Sequence, residues 1–112
     1  MKWHIKQKWQ KLTRGYFDEE LWNLDYTICK WILPRLKSFK EQTKDYSPEL
    51  NNLAEWKEII QKIIDAFEIY SIDLPETPYS SSYEEDDKRV REGFELISKH
   101  FHNLWQKYAS TA

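Results

Sequence analysis

The chain has 112 residues, 32% of them charged and 40% hydrophobic, with a net charge of -2. That length implies one domain with a modest core, and that balance excludes a disordered chain and any strong overall pull toward nucleic acid or anionic lipid. A single cysteine, Cys29, excludes an internal disulfide and suits a reducing compartment. No apolar run approaches the roughly 20 residues of a membrane span, and Met1-Lys2-Trp3-His4-Ile5-Lys6 lacks a signal-peptide apolar stretch. The expected location is therefore cytoplasmic, with no membrane partner. Aromatic residues make up 16% of the chain while glycines number 2, a composition of long helices with few tight turns.

Residues 2 to 12 read as a short amphipathic helix. Trp3, Ile5, Trp9 and Leu12 are apolar, and Lys2, Lys6, Lys8, Lys11 and then Arg14 precede the first acid, Asp18. One reading packs the tryptophans on the core and leaves the lysines in water. The other is an anion-facing arm, in which alternating rings and cations suit a phosphate, an acidic protein or a lipid surface. Gly15 suits the left-handed residue past a helix C-terminus, and Asp18 is positioned to cap the next helix with Glu19 and Glu20 in its first turn.

The second helix is expected from about residue 19 to about residue 44. Leu21, Leu24, Ile28, Trp31, Ile32, Leu36 and Phe39 form one broad apolar face, and Trp22, Tyr26, Cys29 and Leu33 a second stripe. A helix apolar on two sides is central in its domain or buried by a partner subunit. Pro34 is expected to kink it near Lys30. Asp25 falls on the main apolar face. A carboxylate there needs a partner, most simply a lysine or arginine, with a ligand role as the alternative.

A polar link follows, and Asn52 with Glu55 reads as a capping box opening a third helix to about residue 70. Leu53, Trp56, Ile60, Ile63 and Phe67 form its core stripe, widened by Ile59 and Ile64. Residues 71 to 81 form the longest loop, with two prolines and tandem serines, and loops of that length often serve as lids or docking segments. Ser82 with Glu85 reads as a second capping box, opening a fourth helix to about residue 108. Its stripe is Val90, Phe94, Ile97, Phe101, Leu104, Trp105 and Tyr108, and Gly93 permits close helix contact. The fold class is all-α: an antiparallel bundle of about four helices in a single domain, residues 1–112.

No phosphate loop, His-Glu-x-x-His motif or cysteine pair is present, so no residue set argues for an enzyme, a cofactor or a metal. His100 and His102, two apart, are expected on opposing sides of a helix. Cys29 reads as an inert core thiol. Binding remains.

The run Arg14-Gly15-Tyr16-Phe17-Asp18-Glu19-Glu20-Leu21-Trp22-Asn23-Leu24-Asp25-Tyr26-Thr27-Ile28, continuing to Trp31-Ile32-Leu33-Pro34-Arg35-Leu36, resembles a widespread family of short proteins encoded by bacteriophages and prophages. Glu55-Trp56-Lys57-Glu58-Ile59-Ile60 through Ala66-Phe67-Glu68, and Phe101-His102-Asn103-Leu104-Trp105, carry the same resemblance. The sequence departs from many relatives in Cys29 and in the loop after Tyr46. The resemblance implies a phage accessory protein in the cytoplasm of an infected bacterium, and such proteins often counter host defences.

Two functions follow as expectations. One is a homo-oligomeric sponge that sequesters a nucleotide-derived immune signal, a cyclic oligonucleotide or ADP-ribose product. Tyr16, Trp22 and Tyr26 would stack on the base, Arg14, Lys30 and Arg35 would hold phosphate, and Asp25 would share the site. The other is a protein–protein interaction module that inhibits a host bacterial protein or serves phage assembly, through Trp3 and Trp9 or the loop around Tyr79 and Tyr83. Nucleic-acid binding by the basic N-terminal segment is disfavoured by the net charge.

Overall fold

The spacing of apolar residues that marks the third helix also makes it the centre of the molecule. In the computed structural model, which describes residues 2–73 and 81–105, the chain is an all-α helical bundle with no strand among the described residues. Its helices are α1 (Lys2–Arg14), α2 (Leu24–Gln42), α3 (Leu53–Glu68) and α4 (Ser81–His100). A 3₁₀ turn, Asp18–Leu21, precedes α2; a π-helical turn, Ile69–Asp73, extends α3; and a second 3₁₀ turn, Phe101–Asn103, closes α4.

Trp56, Ile60, Ile63, Ile64 and Phe67 of α3 are buried, as their helical spacing predicts, Leu53 and Ile59 of the same stripe are partly buried, and Ala66, outside the expected stripe, is buried as well. Cys29 and Leu36 of α2 and Leu50 of the preceding link meet them, with Leu96 and Ile97 of α4 packed against the cluster. Burying a large aliphatic or aromatic side chain stabilises by roughly 1.5–3 kcal/mol, so this one helix supplies much of the fold's driving force. Asn52 caps it, its side-chain oxygen accepting from the Glu55 N–H at 2.8 Å. The Glu55 carboxylate reaches back to the Asn51 N–H at 3.0 Å, one residue earlier than a standard capping box. Gly93 is buried against α3: a Cβ placed there would overlap the Ala66 Cβ and lie 3.0 Å from the Lys62 carbonyl oxygen. The close approach expected at Gly93 is real.

Several boundaries and faces differ from expectation. The helix from about residue 19 is interrupted: the 3₁₀ turn ends at Leu21, and α2 starts only at Leu24. Asp18 is not its cap. The residue before the 3₁₀ turn is Phe17, whose N–H donates to the Glu20 carboxylate at 2.9 Å, while the Asp18 side chain is taken by α1. α2 then runs unbroken through Pro34, which has no proton to give the Lys30 carbonyl. α4 begins at Ser81, so Ser82 lies inside its first turn rather than at its cap, and it ends at His100 instead of continuing toward residue 108. Phe101 and Trp105 consequently leave the core stripe and are exposed. Tyr79, Tyr108 and residues 74–80 of the long loop lie outside the described residues.

α1 does not pack on the core. No residue of α1 belongs to the buried cluster, and Trp3 and Trp9 are exposed, against the reading that docks them on the bundle. The molecule measures 53 × 49 × 18 Å, a slab less than two helix diameters thick. Its surface of 8686 Å² exceeds the about 6,600 Å² of a compact monomer of its mass.

Candidate functional site

α1 is tied to the rest of the chain by polar contacts at one corner. Gly15, at φ 88°, makes the left-handed turn that ends α1, and its N–H returns to the Lys11 carbonyl at 2.9 Å. The chain then folds back so that Asp18 meets the inner side of α1. Its carboxylate accepts from Gln10 Nε2 at 2.9 Å, pairs with Arg14 and lies 3.4 Å from Lys6 Nζ. The Gln10 amide, followed by Arg14, holds this carboxyl at about 2, well below the usual carboxylate range. Gln10 Oε1 accepts the Asp18 N–H at 2.9 Å, so one side chain clamps both groups. Lys11 stands 3.9 Å from Glu20 and over the Phe17 ring.

That clamp turns the other side of α1 outward. Ile5, Trp9 and Leu12, spaced for one helical face, are 67%, 64% and 81% exposed. Beside them Gln7, Lys8, Lys11, Leu12 and Phe17 line an open groove of about 410 Å³. The result is an apolar ridge with a cationic flank and no acid on the helix itself.

A second exposed apolar face lies on α2. The expected broad face splits. Cys29 and Leu36 turn inward with Ile32, Leu33 and Phe39 partly buried, whereas Leu21, Leu24, Ile28 and Trp31 remain about half-exposed. The expected second stripe splits too: Cys29 is buried, and Trp22 and Tyr26 are exposed. Burial raises the Cys29 thiol's pKa, which keeps it protonated and unreactive.

The seven residues singled out from the sequence fall into three places. Arg14 and Tyr16 sit at the α1 corner, where Arg14 Nε donates to the Tyr16 carbonyl at 3.0 Å and its guanidinium lies 4.4 Å from the Tyr16 ring centre. Trp22, Asp25 and Tyr26 stand at the start of α2. Lys30 and Arg35 lie further along it, both exposed. Arg35 is stacked on Trp31 at 4.1 Å and donates to the Trp31 carbonyl at 2.7 Å.

Asp25 is exposed rather than buried on an apolar face, and its partner is not a lysine or arginine. The Tyr70 hydroxyl donates to Asp25 Oδ2 at 2.6 Å, and the Tyr26 N–H to Oδ1 at 2.9 Å. The Tyr70 bond, then the Tyr26 bond, lowers the Asp25 pKa; the same carboxylate pushes Tyr70 up to about 12. Tyr70 escaped the sequence reading because α3 looked purely structural. It lies in the π-helical turn beyond α3, and periodicity gives no signal there.

The histidines also depart from expectation. With α4 ending at His100, the 3₁₀ turn brings His100 Nδ1 within 3.8 Å and His102 Nε2 within 3.9 Å of the same oxygen, Glu49 Oε1. Asn103 Nδ2 donates to that oxygen at 2.8 Å, which lowers the Glu49 pKa, while burial lowers that of His100. Among the described residues no group of three or more His, Cys, Asp or Glu is placed to hold a metal ion. No helix among them is long and apolar enough to cross a membrane.

Comparison with protein-family models, with curated proteins and with solved structures yields no match.

Proposed function

We propose that this protein is a homo-oligomeric binding module whose α1 arm engages a partner protein. The observation that carries it is the outward ridge of Ile5, Trp9 and Leu12, flanked by Lys8 and Lys11 and held off the core by the Asp18 clamp. An amphipathic helix of this kind suits an apolar groove with an acidic rim. Tryptophan anchors typically dominate such interfaces, and the lysines speed and orient the encounter. With the resemblance to phage-encoded proteins, the partner is a bacterial host protein and the outcome inhibition of that protein.

The nucleotide-sequestering reading draws less support from the geometry. Its phosphate holders Arg14 and Arg35 lie against the protein's own Tyr16 and Trp31 rings, and its residues are spread over three places.

The test is capture of partners from a bacterial lysate by the wild-type chain and by Trp9→Ala and Lys8→Glu variants, which alter exposed side chains outside the Asp18 corner. A defined host protein retained by the wild type and lost by both variants is the expected result. Capture that is indifferent to Trp9 and Lys8 overturns the assignment to α1. A melting shift with cyclic oligonucleotides or ADP-ribose and no such protein would favour sequestration instead.

A further inference from the structure

We propose that Asn103 is a proton-controlled latch: while His100 is neutral, the Asn103 amide pins the 3₁₀ turn after α4 to Glu49, and protonation of His100 displaces that amide and frees the turn. The device uses none of the α1 residues and stands or falls apart from the binding-module reading.

The link before α3 and the end of α4 meet through this one side chain. Asn103 Nδ2 donates to Glu49 Oε1 at 2.8 Å and lies 3.3 Å from His100 Nδ1. His100 and Asn103 are both buried. An ionised carboxylate only accepts, so the amide must present its NH2 to Glu49 and not its oxygen. That NH2 carries two protons: one serves Glu49, and the other faces His100 Nδ1. Nδ1 is then an acceptor, which fixes the ring as the neutral tautomer with its proton on Nε2.

A proton on Nδ1 reverses this arrangement. Two donors, the ring N–H and the amide NH2, would then face each other across 3.3 Å. Glu49 Oε1, already 3.8 Å from Nδ1, becomes the stronger partner for the ring, because an ionised pair bonds more strongly than a neutral one. Turning the amide over offers its oxygen to the imidazolium but points the same oxygen toward the carboxylate. Either way the Asn103–Glu49 bond is lost.

The surroundings of His100 set when this happens. Burial opposes the charged ring most, and Lys99 of α4 and His102 of the turn oppose it too, whereas Glu49 of the link and Glu55 of α3 favour it. Trp56 of α3 packs its ring centre 5.7 Å from that of the imidazole. His102 Nε2 lies 3.9 Å from the same Glu49 oxygen, so it is the competing titrating group. What the latch holds is well defined. The Leu104 N–H donates to the Phe101 carbonyl at 3.1 Å, and Leu104 packs against the core. Asn103 and Trp105 also line a small cavity with Asp45, Tyr46 and Ser47 of the link.

The test is NMR on the full chain between about pH 8 and about pH 5. It follows the Asn103 side-chain amide, the His100 ring and the hydrogen-exchange protection of the Leu104 N–H, with circular dichroism monitoring the helices. In the wild type the Asn103 amide should shift along the His100 titration curve, and Leu104 protection should fall several-fold at constant helix content. His102→Gln should leave both transitions in place. Glu49→Gln keeps an acceptor for Asn103 but removes the charge that draws the imidazolium, so the His100 midpoint and the Asn103 shift should move together to lower pH. Both substitutions fall on side chains more than half exposed, 51% for Glu49 and 70% for His102, so the fold is retained. An Asn103 amide that stays unchanged while His100 titrates overturns the latch. So does an Asn103 transition lost in His102→Gln, or a His100 midpoint indifferent to Glu49→Gln.

Discussion

Gly93→Ala is a small perturbation at a point where two large effects oppose each other. In an unconstrained helix the change should stabilise by about 1 kcal/mol, because alanine is the better helix former. At Gly93 the added methyl meets the Ala66 Cβ, which has no rotamer to turn away, and the Lys62 carbonyl of α3's backbone. The helices must separate, and overpacking of this kind costs about 1–3 kcal/mol. The net expectation is a loss of up to about 2 kcal/mol, so stability should fall where propensity alone has it rise. Urea denaturation of wild type, Gly93→Ala, Ala66→Gly and the double variant forms a mutant cycle. Removing the Ala66 methyl restores the space, so the two substitutions should couple favourably by at least about 1 kcal/mol. A Gly93→Ala protein more stable than wild type, with additive effects in the cycle, would refute the close approach of α3 and α4.

Three further outcomes are expected. Asn52→Ala removes the side-chain acceptor for the Glu55 N–H and should lower stability by about 1 kcal/mol, read as a shifted urea midpoint at constant slope. Tyr70 should titrate at about 12 by phenolate absorbance, and Tyr70→Phe should return the Asp25 pKa toward 3.8 by NMR. The Asp25 contribution is present above its unfolded pKa and lost as pH falls. That of Tyr70 is present below its unfolded pKa of 10.0 and lost as pH rises through about 12. His100 has a folded pKa below 6.5 because it is buried, so the folded state takes up its proton less readily than the unfolded chain. Stability should therefore decline as pH falls through the unfolded value of 6.5, and His100→Gln should flatten that slope in denaturant titrations.

The helical class, the α3 stripe, the Asn52 cap and the Gly93 contact were all legible in the sequence. Each is a local signal: a 3.6-residue period, a side chain three residues from its N–H, a residue without a Cβ. Side-chain type and spacing carry those directly. Which apolar faces find a partner is a different matter. Leu24, Ile28 and Trp31 have the same spacing as the core residues of α3, yet they are exposed, because burial depends on what lies opposite and not on period alone. The tryptophans of α1 are exposed for the same reason, once Asp18 holds α1 at the corner by its polar side. Asp25 drew attention by its apolar neighbours. Its partner Tyr70 is 45 residues away and could be supplied only by the path of α3 back past the start of α2. His100, His102 and Glu49 came together because α4 tightens into a 3₁₀ turn, a change of pitch that no periodicity announces. Local pattern specified the helices, but it marked α2 as a candidate centre, and in the folded chain α3 takes that place. Tertiary structure alone decided which apolar stripes became core and which stayed open for a partner, because that depends on the path of the chain between helices rather than on the pattern within them.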